Sequence, residues 1–163
     1  MSKRTVLAGL ALLLTPGLDA CGFTPLYGDP GVVHGLSHIQ IETPQTRTGY
    51  LMREDLQDDL ALKPDEKPEY KLVVQLNEIR LPRGLRPDAT ADRYETRLRL
   101  TYTLTRISTG EVVLRRSSSV SVTTDATAQP YAGIAGQQDA QERAAWEASQ
   151  FMKTQILRAL AAR

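Results

Sequence analysis

Residues 94–107 constrain the fold more than any other stretch. Tyr94, Leu98, Leu100, Tyr102 and Leu104 fall on one side of a two-residue repeat, and Glu95, Arg97, Arg99, Thr101, Thr103 and Thr105 fall on the other. A strand with one face on a core and one in water writes that alternation. Ser108-Thr109-Gly110 follows as a short turn, and residues 111–124, rich in Val, Ser and Thr, supply a return strand. A long antiparallel hairpin is therefore expected. Its arms of about fourteen residues exceed the usual five or six, so the ribbon is expected to extend past the core.

The flanking segments complete a layer. In residues 37–42, Ile39 and Ile41 alternate with His38, Gln40 and Glu42, a short first strand ended by Thr43-Pro44. In residues 49–62, Leu51, Met52, Leu56 and Leu60 recur at helical spacing opposite Glu54, Asp55, Asp58 and Asp59, which predicts an amphipathic helix stopped before Pro64. A polar loop over 63–69 leads to a second strand carrying Tyr70, Leu72, Val74 and Leu76, and residues 81–87, Leu-Pro-Arg-Gly-Leu-Arg-Pro, read as a loop.

Residues 125–136, with Pro130, Gly133 and Gly136, read as a connector, and residues 137–163, free of Gly and Pro, as a long helix. Ala144, Ala145, Ala148, Phe151, Met152, Ile156 and Ala159 share its core face, while Trp146 and Leu157 fall nearly opposite, as edge-of-core residues or partner contacts. The fold class is α/β, an α+β two-layer arrangement. It has a four-stranded, mainly antiparallel sheet, two helices on one face, and the order β-α-β-β-β-α.

At the amino terminus Lys3 and Arg4 precede an apolar run over 6–14, which is signal-peptide length and too short to span a bilayer. Leu18-Asp19-Ala20-Cys21 looks like a lipobox, although Asp19 departs from the small or apolar residue usual there. Cys21 is the only cysteine, so it has no intramolecular disulfide partner. Resemblance to bacterial lipoproteins implies that it is diacylated on sulfur, that the signal is cut just before it and that the new amino group is then acylated, and several acyl chains hold a protein to a bilayer far better than one. Gly22, where inner-membrane retention commonly has Asp, favours the outer membrane. The organisation expected is a signal over 1–20, an acylated tether over 21–35 and a single domain over 36–163. Roughly 140 mature residues suffice for one core.

Cys21-Gly22-Phe23-Thr24-Pro25-Leu26-Tyr27-Gly28 resembles the start of the mature lipopolysaccharide-assembly lipoproteins, LptE, of alphaproteobacterial type. The resemblance implies a two-layer α/β domain that plugs the LptD outer-membrane β-barrel, promotes its folding, and assists lipopolysaccharide on its way outward. The partners it implies are an LptD-like barrel and lipopolysaccharide, with the protein lipid-anchored at the outer membrane, on the periplasmic side or within the barrel lumen. A periplasm-facing envelope lipoprotein that binds another lipid or polymer, without a barrel partner, is the alternative.

The residues themselves offer little for catalysis, and no enzyme activity, cofactor or metal is expected. His34 and His38 are the only histidines, and no further Cys or His completes a metal site, so they are expected to be solvated loop and edge residues. Ser117, Ser118, Ser119 and Ser121 lack a nucleophile elbow. The helical spacing of Glu54, Asp55, Asp58 and Asp59 fits a solvated acidic face rather than a calcium loop.

The arginines carry more. Residues 42–78 lean acidic and 80–116 basic, with Arg80, Arg83, Arg86 and Arg93 leading to Arg97 and Arg99 on one strand face. Guanidinium forks suit the phosphates and carboxylates of an amphipathic glycolipid, so Arg83, Arg86, Arg97 and Arg99 are candidate lipopolysaccharide contacts. Pairing with carboxylates of this domain or of a barrel wall is the competing reading. Neutrality of the mature chain argues against nucleic acid. The expected mature protein begins at Cys21 and carries acyl mass; intact-mass measurement of the amino terminus checks it, and a free thiol at residue 21 contradicts it.

Overall fold

The computed structural model describes residues 36, 38–60, 66–88 and 90–162. The expected signal and tether, with Cys21 and His34, lie outside them. The elements are β1 (Ile39–Glu42), α1 (Arg47–Asp59), β2 (Tyr70–Leu85), β3 (Ala91–Arg106), β4 (Val112–Asp125) and α2 (Pro130–Ala161). The sheet order is β1-β2-β3-β4. β1 and β2 are parallel, because α1 carries the chain back between them, and the other pairs are antiparallel hairpins. No helix among the described residues is long and apolar enough to cross a membrane.

The two-residue repeat of β3 sets the layers. Leu98, Leu100, Tyr102 and Leu104 are buried with Leu72 and Val74 of β2 and Leu114, Val120 and Val122 of β4. Both helices cover this face, α1 with Met52 and Leu56, α2 with Ala140, Ala144, Ala145, Ala148, Met152, Ile156 and Leu157. Thr46 caps α1 by accepting from Gly49 N–H at 3.1 Å. A Cβ on Gly49 would lie 2.2 Å from the Pro44 carbonyl oxygen, so only glycine fits this helix entry.

Four expectations change. The 81–87 stretch is not a loop as far as Leu85, because β2 runs on through Pro82. The closing bonds explain how. Ile107 N–H bonds Glu69 O and Arg106 N–H bonds Glu111 O, so odd residues of β3 face β2 and even ones face β4. The register then turns the even-numbered amides of β2 away from β3, toward β1 and, past Val73, toward an open edge. Pro82 occupies one of those positions, where its missing N–H costs the ladder nothing. Gly84, at φ 61°, then takes a left-handed turn that favours glycine.

The connector over 125–136 is shorter than its composition suggested. α2 begins at Pro130, in the first helical turn where proline is tolerated, and Gly133 and Gly136 lie inside it. Within α2, Leu157 belongs to the core, Phe151 is 45% exposed although its spacing suggested burial, and Trp146 is 58% exposed. His38 is 7% exposed, not solvated, and its Nε2 pairs with Glu66, tying the start of β1 to the segment before β2.

Glu78, on the inner face of β2, joins three elements: it accepts from Thr48 Oγ1 at 2.5 Å and from Gln141 Nε2 at 2.7 Å. Thr48 is fully buried. Glu78→Ala is expected to lower stability by about 1–3 kcal/mol, by leaving the Thr48 hydroxyl without its acceptor. Tyr102 Oη, by contrast, is buried with no hydrogen-bond partner among the described residues. Tyr102→Phe is therefore expected to hold or raise stability; urea unfolding of both variants checks the pair.

Candidate functional site

The face of the sheet away from the helices is the candidate site. Its odd-numbered rows run across three strands: Gln75, Thr101 and Ser117; Asn77, Arg99 and Ser119; Ile79, Arg97 and Ser121; Leu81, Glu95 and Thr123; Arg83, Arg93 and Asp125. Hydroxyls and guanidiniums dominate, with half-buried Ile79 and Leu81 between them. Thr101 Oγ1 and Ser117 Oγ lie 3.2 Å apart across the strands.

The four candidate arginines separate into held and unheld groups. Glu95 accepts from Arg83 through Nε at 2.7 Å and from Arg97 through Nε at 2.9 Å and NH2 at 2.6 Å, using different carboxylate oxygens for the two. These hydrogen bonds, Arg83 first and Arg97 second, hold the Glu95 carboxyl below its ordinary value. Arg86 pairs with Asp92 at 2.5 Å and Arg93 with Asp125 at 3.3 Å. Arg99 lies exposed in the middle of the face and has no acidic partner among the described residues. Arg115, two rows away on β4, is in the same position.

Sequence reasoning therefore placed Arg97 and Arg99 on one face correctly, but missed Glu95 as the clamp and Arg115 as the second unheld cation. Two-residue spacing already put Glu95 beside Arg97. Bringing Arg83 to it required the β2–β3 register, which is hidden when 81–87 reads as a loop. At the strand ends, Arg83, Arg86 and Arg93 with Asp92 and Asp125 line an open hollow of about 530 Å³. On the helix side, Asp59 accepts from Gln150 and, at 3.1 Å, from Lys153, so this end of the acidic face joins α1 to α2 rather than being wholly solvated. Burial, then repulsion from Asp59, Asp58 and Glu54, pushes the Asp55 carboxyl up. Among the described residues, no group of His, Cys, Asp or Glu is gathered to hold a metal ion.

This layering is that of a class of small bacterial lipoproteins. A candidate lipoprotein from Caulobacter crescentus CB15 is 42% identical over 81% of this chain and 96% of that one, with a TM-score of 0.69. A minor lipoprotein from Acinetobacter baumannii, 15% identical over 75% of this chain and 91% of its own, shares the fold at a TM-score of 0.58. An uncharacterized lipoprotein B from Nitrosomonas europaea does so at 14% identity, 72% and 80% coverage and a TM-score of 0.55. No curated protein sequence matches. The lipopolysaccharide-assembly family LptE matches residues 36–160, and the chain belongs to it. Membership implies a lipid-anchored envelope lipoprotein with a role in lipopolysaccharide transport and assembly.

The lowered Glu95 carboxyl gives a pH dependence with a definite sign. Its folded value lies below the ordinary 4.5, so its contribution to folding is complete above that value and is lost as pH falls through the folded one. Glu95→Gln is expected to melt lower than the parent near pH 7, with the gap closing toward about pH 3. Thermal melts across that range check it, and a gap that stays constant contradicts the clamp.

Proposed function

We propose that this protein is a non-enzymatic outer-membrane lipoprotein that partners and plugs an LptD-like β-barrel and assists lipopolysaccharide assembly at the outer membrane. The observation that carries the reading is the family match across the whole described domain. Acylated Cys21 is the tether.

The open sheet face supports the ligand half of the reading. Arg99 offers a guanidinium not committed to a carboxylate, set among hydroxyls that can share hydrogen bonds with sugars. Arg83, Arg86 and Arg97 reach an anionic glycolipid only by exchanging an existing carboxylate for a phosphate. Pairs of this kind are weak in water, so the exchange is accessible but costs affinity. The role assigned is binding and assembly, not catalysis.

A tagged full-length chain from gently solubilised outer membranes is expected to bring down a large barrel protein, and elution alone refutes the plug. Depletion is expected to leave lipopolysaccharide inside the envelope; normal surface display refutes the transport role. In direct lipopolysaccharide binding, Arg99→Glu is expected to weaken affinity by about tenfold and Arg86→Glu by under about threefold. Equal effects contradict the distinction between held and unheld arginines.

A further inference from the structure

The two open edges of the sheet are unequal. β1 covers β2 at Tyr70–Val73, and the edge beyond it is interrupted at Pro82 and by the turn at Gly84. β4 has no such block. By the register, even-numbered amides of β4 bond β3, as Ala126 N–H does at its end with Asp92 O. Beyond the register shift at Leu104/Thr105, which leaves Val113 without a partner, the N–H and C=O groups of Arg115, Ser117, Ser119, Ser121, Thr123 and Asp125 therefore point away from the sheet, with neither proline nor glycine among them. A straight edge of this length is a template for another strand.

The side chains of β4 select what that strand is. Laid antiparallel on itself about Val120, β4 sets Arg115 opposite Asp125 of the second copy, Ser117 opposite Thr123 and Ser119 opposite Ser121, all on the open face. Arg115 has no acidic partner of its own among the described residues, and Asp125 is 87% exposed with only a 3.3 Å contact to Arg93. The same register sets Val120 against Val120 on the inner face, as a pair without direct backbone hydrogen bonds, and every outward amide of the segment finds a partner.

The helix layer agrees. Glu142, Ser149, Gln150 and Lys153 mark the flank of α2 that meets α1. Phe151 lies about 160° round the helix from them, on the flank turned away from α1. Its exposed ring is an apolar surface that a second α2 crossing the seam covers.

We propose that the free protein, before it meets any barrel, pairs with a second copy of itself through β4, in antiparallel register centred on Val120 with reciprocal Arg115–Asp125 ion pairs. This rests on the sheet edge and not on the barrel reading.

Site-specific cross-linking of the full-length chain in membranes of cells depleted of the barrel protein tests it, with the parent, whose only cysteine is Cys21, as background. Val120→Cys is expected to give a reducible dimer under mild oxidation, because the two copies of that residue face each other at disulfide distance. Ser117→Cys is expected to give little, since its own copy lies about 20 Å along the seam. In the Val120→Cys background, Arg115→Asp or Asp125→Arg alone is expected to reduce the dimer at least about fivefold, and the two together to restore it to within about twofold. Ser119→Pro, which removes only an outward donor, is expected to abolish it. A monomeric Val120→Cys chain, a link to a different protein, equal linking by Ser117→Cys, or indifference to Arg115→Asp each overturns the proposal.

Discussion

Everything in this molecule depends on closing one face of one sheet with a helix that can lie close to it. β3 offers Leu98, Leu100, Tyr102 and Leu104 in a continuous buried row, and α2 answers with Ala140, Ala144, Ala145 and Ala148. Small side chains let the helix axis approach the sheet, and the larger Met152, Ile156 and Leu157 fill the space where α1 also reaches. Bulk on the sheet side and near-absence of bulk on the helix side make one matched interface. Enlarging any of those alanines would force the layers apart, at about 1–3 kcal/mol for overpacking.

Because most of the inner face is committed to packing, the candidate binding arginines lie on the outer face or at the strand ends. There the same strand carries both kinds of group, and the carboxylate of Glu95 decides which arginines are held in place. Arg83 and Arg97 are oriented by it, while Arg99 and Arg115 have no acidic partner among the described residues. A surface with some cations fixed and others uncommitted can hold its shape and still change partners.

The fold was legible where the period was clean. The β3 alternation, the spacing of Met52, Leu56 and Leu60, and the Gly110 turn each name their element directly. It was obscure where one residue had two meanings. Pro82 reads as a breaker unless the direction of its amide is known, and that direction follows from strand pairing rather than from local composition. Gly133 and Gly136 read as a connector until the chain around them is seen to continue as helix. Phe151 matched the helical period, yet it is 45% exposed. His38 and Glu66 lie 28 residues apart in the chain, and their contact has no sequence signal. The site was half legible for the same reason: faces follow from a period of two, partners only from register.

The order of the chain has its own consequence. A polypeptide is made from its amino end, so β2, β3 and β4 exist as a meander of neighbouring hairpins, quick to pair, before α2 has been completed. The apolar row along β3 then waits for a single C-terminal helix of 32 residues to cover it. Assembly is local for most of the chain and non-local at the last step. During that interval the nascent sheet shows an unshielded leucine stripe, and a truncation within α2 leaves a chain that pairs its strands but has nothing to close them.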